Sequence, residues 1–266
     1  MSAPSESESI AEAAVILLAA CHVVALTGAG VSKESGIPTF RGKDGLWTVR
    51  GEPPLNQFEE FRRDPKAWWV RRLDQRARPD EFALSLRASE PNDAHYALAE
   101  LEALGVLHHV ITQNVDNLHR RAGQQSITEI HGNMRWMRCT DCQTRWPEDD
   151  VDVNLEELPP RCPEPGCAGI VKGDGVMFGE PIPPDALERC YAETAMADAF
   201  LLAGTSAVVY PAAMFPQLAY QRGARLIEVD PEPTALSELA TVTLRGPAGE
   251  MLPLLLRAVR ERIGPQ

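Results

Sequence analysis

Four short runs rich in Val, Ile and Leu, at residues 23–26, 107–112, 199–202 and 225–229, each lead into a polar loop and then a helical pattern. Continuously apolar runs of this length form strands buried on both faces, and their alternation with helices builds a doubly wound parallel α/β sheet. Ligands of such a sheet lie outside the carboxyl ends of its strands. The unusual residues of this chain fall at those ends: Gly28 to Ser32, Gln113 to Asp116, Gly204 to Ser206, and Asp230. They converge on one crevice. Gly28 and Gly30, on either side of Ala29, follow the first strand, where their lack of a side chain lets backbone N–H groups approach a diphosphate. An ordinary dinucleotide fingerprint would place a third glycine at position 33 and start a helix there. The residue is Lys33, and Ser35-Gly36-Ile37-Pro38 follows, so the phosphate loop opens into a long excursion.

A chain of 266 residues accommodates one large domain with a smaller insert. Its formal net charge of −12 repels nucleic acid phosphates, so direct nucleic-acid binding is not expected. Arg62, Arg63, Arg71, Arg72, Arg76 and Arg78 form one basic cluster, read as a solvated helix face and otherwise as a surface admitting an acidic group or peptide. Residues 1–9 are Ser- and Glu-rich without the basic start of a signal peptide. The apolar run 11–20 is interrupted by Glu12 and too short to span a bilayer. A soluble cytoplasmic protein with reduced thiols, not bound to a membrane, is the expectation.

From 133 to 175 the pattern changes to Trp, Pro, acidic residues and four cysteines. Such a segment buries too little apolar surface to fold without help. Cys139-x2-Cys142 and Cys162-x4-Cys167 supply two thiolate pairs, the donor set of a tetrahedral zinc site. With four sulfurs there is no open position for water or substrate, so the metal is structural. Cys21 and Cys190 are expected to be ordinary buried thiols. The predicted division is a discontinuous large domain over 10–45, 92–132 and 176–262, a helical part of the small lobe over 46–91, and the zinc-binding module over 133–175.

Gln113, Asn114 and Asp116 stand where a strand ends and a helix is predicted, with Val115, Leu118 and Ala122 as its apolar stripe and Gly123 as its stop. Taken alone, an Asn cap with Asp in the first turn, worth about 1 kcal/mol, explains them. Short polar side chains at that position also suit a ligand, and the two roles are compatible. Neutral imidazole suits proton abstraction near pH 7, with an unperturbed pKa of about 6.5. Six histidines are present, and residue patterns alone do not choose between His131, at a strand end before Gly132, and His119 on the helix.

The run from Gly28 to Gly42, Thr112-Gln113-Asn114-Val115-Asp116-Asn117-Leu118-His119, His131-Gly132, the two cysteine pairs, Val176-Met177-Phe178-Gly179-Glu180 and Gly204-Thr205-Ser206 occur in one order. Together they resemble the sirtuins, NAD-dependent protein lysine deacylases with a Rossmann-like domain and a smaller zinc-binding and helical lobe. The resemblance spans roughly residues 10 to 260. It implies that Gln113 contacts the nicotinamide ribose, Asn114 orients a water and Asp116 recognises the nicotinamide amide. It assigns the base to His131, with His119 as support. Phe40 would shield the reacting ribose carbon and Arg41 would contact the phosphate-ribose region, in a loop that excludes water. Gly28, Ala29, Gly30, Ser32, Gly204, Thr205, Ser206, Asp230 and Ala248 complete the implied cofactor set. Val176, Phe178, Gly179 and Glu180 would line the acyl-lysine channel and pair with the substrate peptide as an added strand. Where the family has a Pro and two branched residues leading into this segment, Gly173, Asp174 and Gly175 stand here, which loosens the entrance.

The implied reaction transfers the acyl group of an acyl-lysine protein or peptide to ADP-ribose, releasing nicotinamide and O-acyl-ADP-ribose. NAD is then a consumed co-substrate. The branch containing desuccinylases uses a Tyr-x-x-Arg pair to grip a carboxylate. Counting from Asp64-Pro65, the matched positions are Arg72 and Gln75, and only a shifted reading, Trp69-x-x-Arg72, retains an Arg. Deacetylation, or removal of other neutral acyl chains, is therefore favoured. The alternatives are a mono-ADP-ribosyltransferase or NAD hydrolase using the same crevice, and a non-catalytic NAD-sensing module. Against the last stands the positioned base His131 beside Gln113, Asn114 and Asp116, since binding alone requires no base.

Overall fold

The computed structural model describes residues 5–41 and 45–264. Gly42, which closes the predicted loop, and the first four residues of the acidic N-terminal tract lie outside them. Nine strands are present among the described residues: β1 (Val23–Thr27), β2 (His109–Thr112), β3 (Ile127–Glu129), β4 (Trp136–Cys139), β5 (Arg145–Pro147), β6 (Val171–Gly173), β7 (Ala199–Ala203), β8 (Arg225–Val229) and β9 (Val242–Leu244). The helices are α1 (Glu6–Ala19), α2 (Leu46–Arg50), α3 (Gln57–Arg63), α4 (Pro65–Ala77), α5 (Glu81–Ala88), α6 (Asp93–Ala103), α7 (Leu118–Arg121), α8 (Pro184–Met196), α9 (Met214–Gln221) and α10 (Ala248–Ile263). None of them is long and apolar enough to cross a membrane.

Six strands form one all-parallel sheet in the order β3-β2-β1-β7-β8-β9. Counted along the chain within that sheet, this is the 3-2-1-4-5-6 order of a doubly wound fold, with its reversal between β1 and β7. Alternate residues of each strand point to opposite faces. Val23 and Ala25 join Leu17, Leu98, Leu201, Leu252 and Leu255 in a core under α1, α6 and α10. Val24 and Leu26 join Phe200, Leu202, Leu226 and Phe215 in a second core under α8 and α9. The four predicted strands are therefore all in place, and β3 and β9 extend the two edges. Helix α1 begins at a capping box in which Ser5 and Glu8 satisfy one another's backbone N–H groups.

Strands β5-β4-β6 form a separate antiparallel sheet. Its core is small: Met137, Cys139, Cys162 and Val171 gather around Trp69 from α4, with Trp68 and Leu73 alongside. Trp69 is fully buried and its indole N–H donates to the Val171 carbonyl at 2.9 Å. The helical insert thus supplies the apolar wall that the cysteine-bearing sheet lacks, and the two insertions share one core. The basic cluster is a helix face stitched to acidic neighbours, with Arg63 on Glu59, Arg78 on Asp74, and Arg72 and Arg76 on Glu148.

Two expectations are corrected. Cys21 is exposed, because it stands at the turn before β1 where its N–H donates to Asp198; Cys190 is buried, which pushes its thiol up to about 12. The helix after β2 does not start at Gln113: residues 113–116 are loop, Asn117 takes a left-handed φ of 68°, and α7 begins only at Leu118.

Candidate active site

The reversal point of the large sheet is built from two glycine loops pressed together. A Cβ on Gly30 would lie 2.6 Å from the Cα of Gly204, and one on Gly28 would lie 2.8 Å from the Gly204 carbonyl oxygen. Gly204 itself has φ +57°, a conformation that favours glycine. The N–H groups of Gly28 and Gly30 donate to the carbonyls of Ala203 and Gly204 at 3.2 and 2.9 Å. Both N–H groups are thus committed, and the glycines serve the close approach of the loops after β1 and β7. Ala29 opens the 3-10 turn that carries Ser32.

Ser32 is buried, and its hydroxyl donates to Asp116 Oδ2 at 2.7 Å. Asn114, 8% exposed, donates through Nδ2 to the Gly28 carbonyl at 3.0 Å and to Ser32 Oγ at 3.1 Å. Asn114 is thus a brace between the loops after β1 and β2, in place of the helix cap its position suggests. The other Asp116 oxygen accepts from the Leu118 N–H at 2.9 Å, so Asp116, one residue before the cap position Asn117, satisfies the first backbone donor of α7. Burial raises the Asp116 carboxyl above its ordinary value against those two hydrogen bonds. Gln113 reaches across the reversal point to donate to Thr205 Oγ1 at 2.8 Å. Ser32, Asn114 and Asp116 with the Gly28 carbonyl, and Gln113 with Thr205, thereby form two bonded groups of one polar floor, and Ser206 is exposed.

His131 follows β3, and among the described residues its ring makes one hydrogen bond. Its Nδ1 lies 3.2 Å from the Gln113 carbonyl. A carbonyl only accepts, so Nδ1 carries the proton and Nε2 carries the lone pair. Burial lowers the His131 pKa below its ordinary value, partly opposed by the Gln113 bond, so the ring is neutral at pH 7. His119 is buried, with Nε2 2.9 Å from Thr27 Oγ1, and burial holds it well below the ordinary imidazole range. Its ring lies 4.9 Å from that of His95, which burial lowers to about 4 and which stands 3.4 Å from Ser32 Oγ. Nothing in the sequence pattern singled out His95. The one available signal was Asn92 three residues earlier: it caps α6 and also donates to the Val31 carbonyl at 2.9 Å, tying that helix to the glycine loop.

Phe40 and Arg41 stand apart from this floor. The Phe40 ring lies 5.1 Å from Trp47 and 6.0 Å from Phe82; Arg41 lies over Trp47 and pairs with Glu52 at 3.0 Å. Trp47 in turn meets Phe178 edge-on at 5.6 Å. One aromatic row therefore joins the predicted lid to the predicted substrate segment. That segment is a turn in this structure: Val176 N–H donates to the His131 carbonyl at 2.9 Å, Met177 N–H to Glu180 at 2.8 Å, and Phe58 N–H to the Phe178 carbonyl at 3.0 Å. Gly179 has φ +81° with the Leu55 carbonyl against it. Glu180 also holds the buried Lys172 at 3.0 Å.

Asp230 directly follows β8, and burial raises its carboxyl above the ordinary value. Its loop is tied down by Arg245, which donates to the carbonyls of Asp230 and Glu232 and to buried Glu228. Ala248, the first residue of α10, is buried in the core beneath the sheet. Arg72 is engaged elsewhere: it pairs with Glu148 at 2.7 Å, lies over Trp68 and fills the space beside Gly173. Since Trp69 is fully buried as well, the shifted Trp69-x-x-Arg72 reading is a lobe-packing pair and not a free carboxylate clamp.

The four cysteine sulfurs lie within 4.8 Å of one another, with Cys139–Cys167 and Cys142–Cys162 both at 3.6 Å. A zinc ion 2.3 Å from four tetrahedral sulfurs separates them by ~3.8 Å, so the donor set fits structural zinc. A Cβ on Gly169 would lie 2.5 Å from the Cys139 sulfur, so that glycine keeps the site clear.

Fold and site together define a doubly wound fold of the dinucleotide-binding class, with a neutral imidazole just after β3 and a separate four-thiolate lobe. The Sir2 family matches residues 28–211. A protein of Thermococcus kodakarensis named NAD-dependent protein deacylase is 44% identical over 261 residues, covering 95% of this chain and 96% of that one. A crystal structure of a Sir2 homolog–NAD complex is 42% identical with a TM-score of 0.77, covering 95% and 94% of the two chains. The structure of Sir2Af2 bound to a myristoylated histone peptide is 35% identical with a TM-score of 0.65, covering 96% and 98%. The chain belongs to the Sir2 family.

Proposed function

We infer that this protein is an NAD-dependent protein lysine deacylase, transferring the acyl group of an acyl-lysine protein or peptide to ADP-ribose with release of nicotinamide. The observation that carries the reading is the tautomer of His131. Its Nδ1 proton is committed to the Gln113 carbonyl, which leaves Nε2 as a neutral proton acceptor. NAD supplies an electrophilic ribosyl carbon to receive the acyl oxygen. On this reading His131 removes a proton from the ribose diol, Asn114 and Gln113 orient the ribose side, and Asp116 accepts from the nicotinamide amide. Asp230 and Ser206 hold the adenosine half, with Gly28, Ala29, Gly30, Ser32, Gly204 and Thr205 along the diphosphate. Phe40 and Arg41 close the crevice against water, which would otherwise capture the ribosyl carbon.

Acetyl and other neutral acyl groups are the proposed substrates. Supporting this, Arg72 already faces Glu148 and Trp69 has no exposed surface, so neither offers a free grip for an acyl carboxylate. Val176, Phe178, Gly179 and Glu180 line the proposed channel. A cytoplasmic setting, where four zinc-binding thiolates stay reduced, accords with the cysteine usage. The test is a panel of acetyl-, propionyl-, butyryl- and succinyl-lysine peptides with NAD, followed by mass spectrometry beside His131→Ala. The expected result is turnover of the neutral acyl groups by the wild type alone. Preference for succinyl-lysine would overturn the acyl assignment.

A further inference from the structure

We propose that Asp174 is a positioning residue that fixes the turn carrying His131, and so governs the proton-transfer half of the reaction. The proposal rests on the deacylase reading above. It starts from a gap in the site: among the described residues the His131 ring is held by a single hydrogen bond of 3.2 Å, so its aim depends on where its backbone lies.

That backbone is framed from one side by Asp174. The Asn133 N–H donates to Asp174 Oδ2 at 2.8 Å, and the Val176 N–H donates to the His131 carbonyl at 2.9 Å. Between these two bonds lies Gly132, with φ +78° and the Asp174 backbone pressed against the face where a side chain would stand. The turn and the Asp174–Val176 segment therefore meet through backbone at two points, Gly132 against Asp174 and His131 against Val176.

Asp174 is in turn fixed from the small lobe. Its carboxylate has no exposed surface; Oδ1 accepts from Arg138 of β4 at 2.6 and 2.5 Å, and Oδ2 accepts from Arg145 of β5 at 2.7 Å. Arg145 also faces Glu129 of β3 at 3.4 Å, and Arg120 meets Glu129 at 3.1 Å. The carboxylate is thus a junction between the cysteine-bearing sheet and the end of β3. The flanking residues, Gly173 and Gly175, give this stretch of backbone little stiffness of its own. Charge-assisted bonds to two guanidinium groups replace it.

The reaction itself offers a readout that a merely structural role would not move. Breaking the nicotinamide bond as the acyl oxygen joins the ribosyl carbon needs no base and is reversed by added nicotinamide. Proton removal by His131 comes afterwards. Exchange of labelled nicotinamide into NAD, in the presence of acetyl-lysine peptide, therefore reports the first half, and deacetylated peptide reports both. Asp174→Asn keeps the shape of the side chain and removes its charge; Arg145→Met, at a partly exposed position, loosens the same carboxylate if the first variant folds poorly. Folded fraction and zinc content are measured for each. The expected result is a fall in deacetylation of about 10- to 100-fold with exchange held within about twofold, the loss a displaced catalytic group incurs. Equal loss of both activities, or no loss of either, overturns the proposal while leaving the deacylase reading intact. Absence of deacetylation in the wild type overturns that reading and this proposal with it.

Discussion

At the residue scale, His131 and Asp116 show how burial and hydrogen bonding divide labour between two titratable groups a few elements apart. His131 is desolvated into its neutral form, and its ring bond to the Gln113 carbonyl selects the tautomer whose Nε2 carries the lone pair. Replacing it by Ala removes the base and is expected to lower kcat/KM for deacylation by about 10²- to 10⁴-fold, measured by peptide product formation. The pH dependence has a definite sign. A base works when deprotonated, and its pKa lies below 6.5, so the acid limb of kcat/KM should have its midpoint below pH 6.5; a midpoint above that value would contradict the buried environment. Asn114 shows where one residue misleads. In sequence it reads as a helix cap, yet Asn117 turns the chain left-handed and delays the helix, freeing Asn114 to bind Gly28 and Ser32.

At the scale of elements, the strands legible in sequence are the ones buried on both faces. Val23 to Leu26 and Ala199 to Leu202 carry the continuous apolar signal because helices cover them from both sides. Strands β3 and β9 have three residues each, too few to show a period, and depend on pairing with β2 and β8. The glycine loop was visible, but not its reason: Gly28 and Gly30 answer to Gly204, far along the chain. Gly30→Ala is therefore expected to cost about 1–3 kcal/mol of stability through overpacking, read from denaturant midpoints, and to weaken NAD binding along with it. Full stability in that variant would mean the two loops separate more readily than the geometry allows. The zinc ligands were legible because their spacing is local, whereas the Asp174, Arg138, Arg145 and Glu129 junction joins residues whose sequence pattern is only that of exposed charge.

For the whole molecule, the small lobe leans on its metal and on Trp69, since few other apolar residues are buried there. Removing zinc with a strong chelator, or substituting Cys142→Ser, should release the three-stranded sheet, seen as lost ellipticity and lost deacylation, while the large sheet keeps its helices. The large domain has its own liability in acid. His109 is buried at the start of β2, where burial lowers its pKa to about 4 although the Glu193 carboxylate pulls the other way. A folded-state pKa below the unfolded 6.5 means the unfolded chain binds the proton more tightly, so stability present above pH 6.5 is lost as pH falls toward 4. The slope is about 1.4 kcal/mol per pH unit for that group. His109→Gln should flatten the fall in melting temperature across this window, and an unchanged profile would assign the acid lability elsewhere. The central claim, that the crevice couples NAD cleavage to acyl transfer, is tested most directly by stoichiometry. With acetyl-lysine peptide and NAD, nicotinamide, deacetylated peptide and O-acetyl-ADP-ribose should accumulate in equal amounts. Nicotinamide released with free or protein-bound ADP-ribose, and the peptide still acetylated, would contradict it.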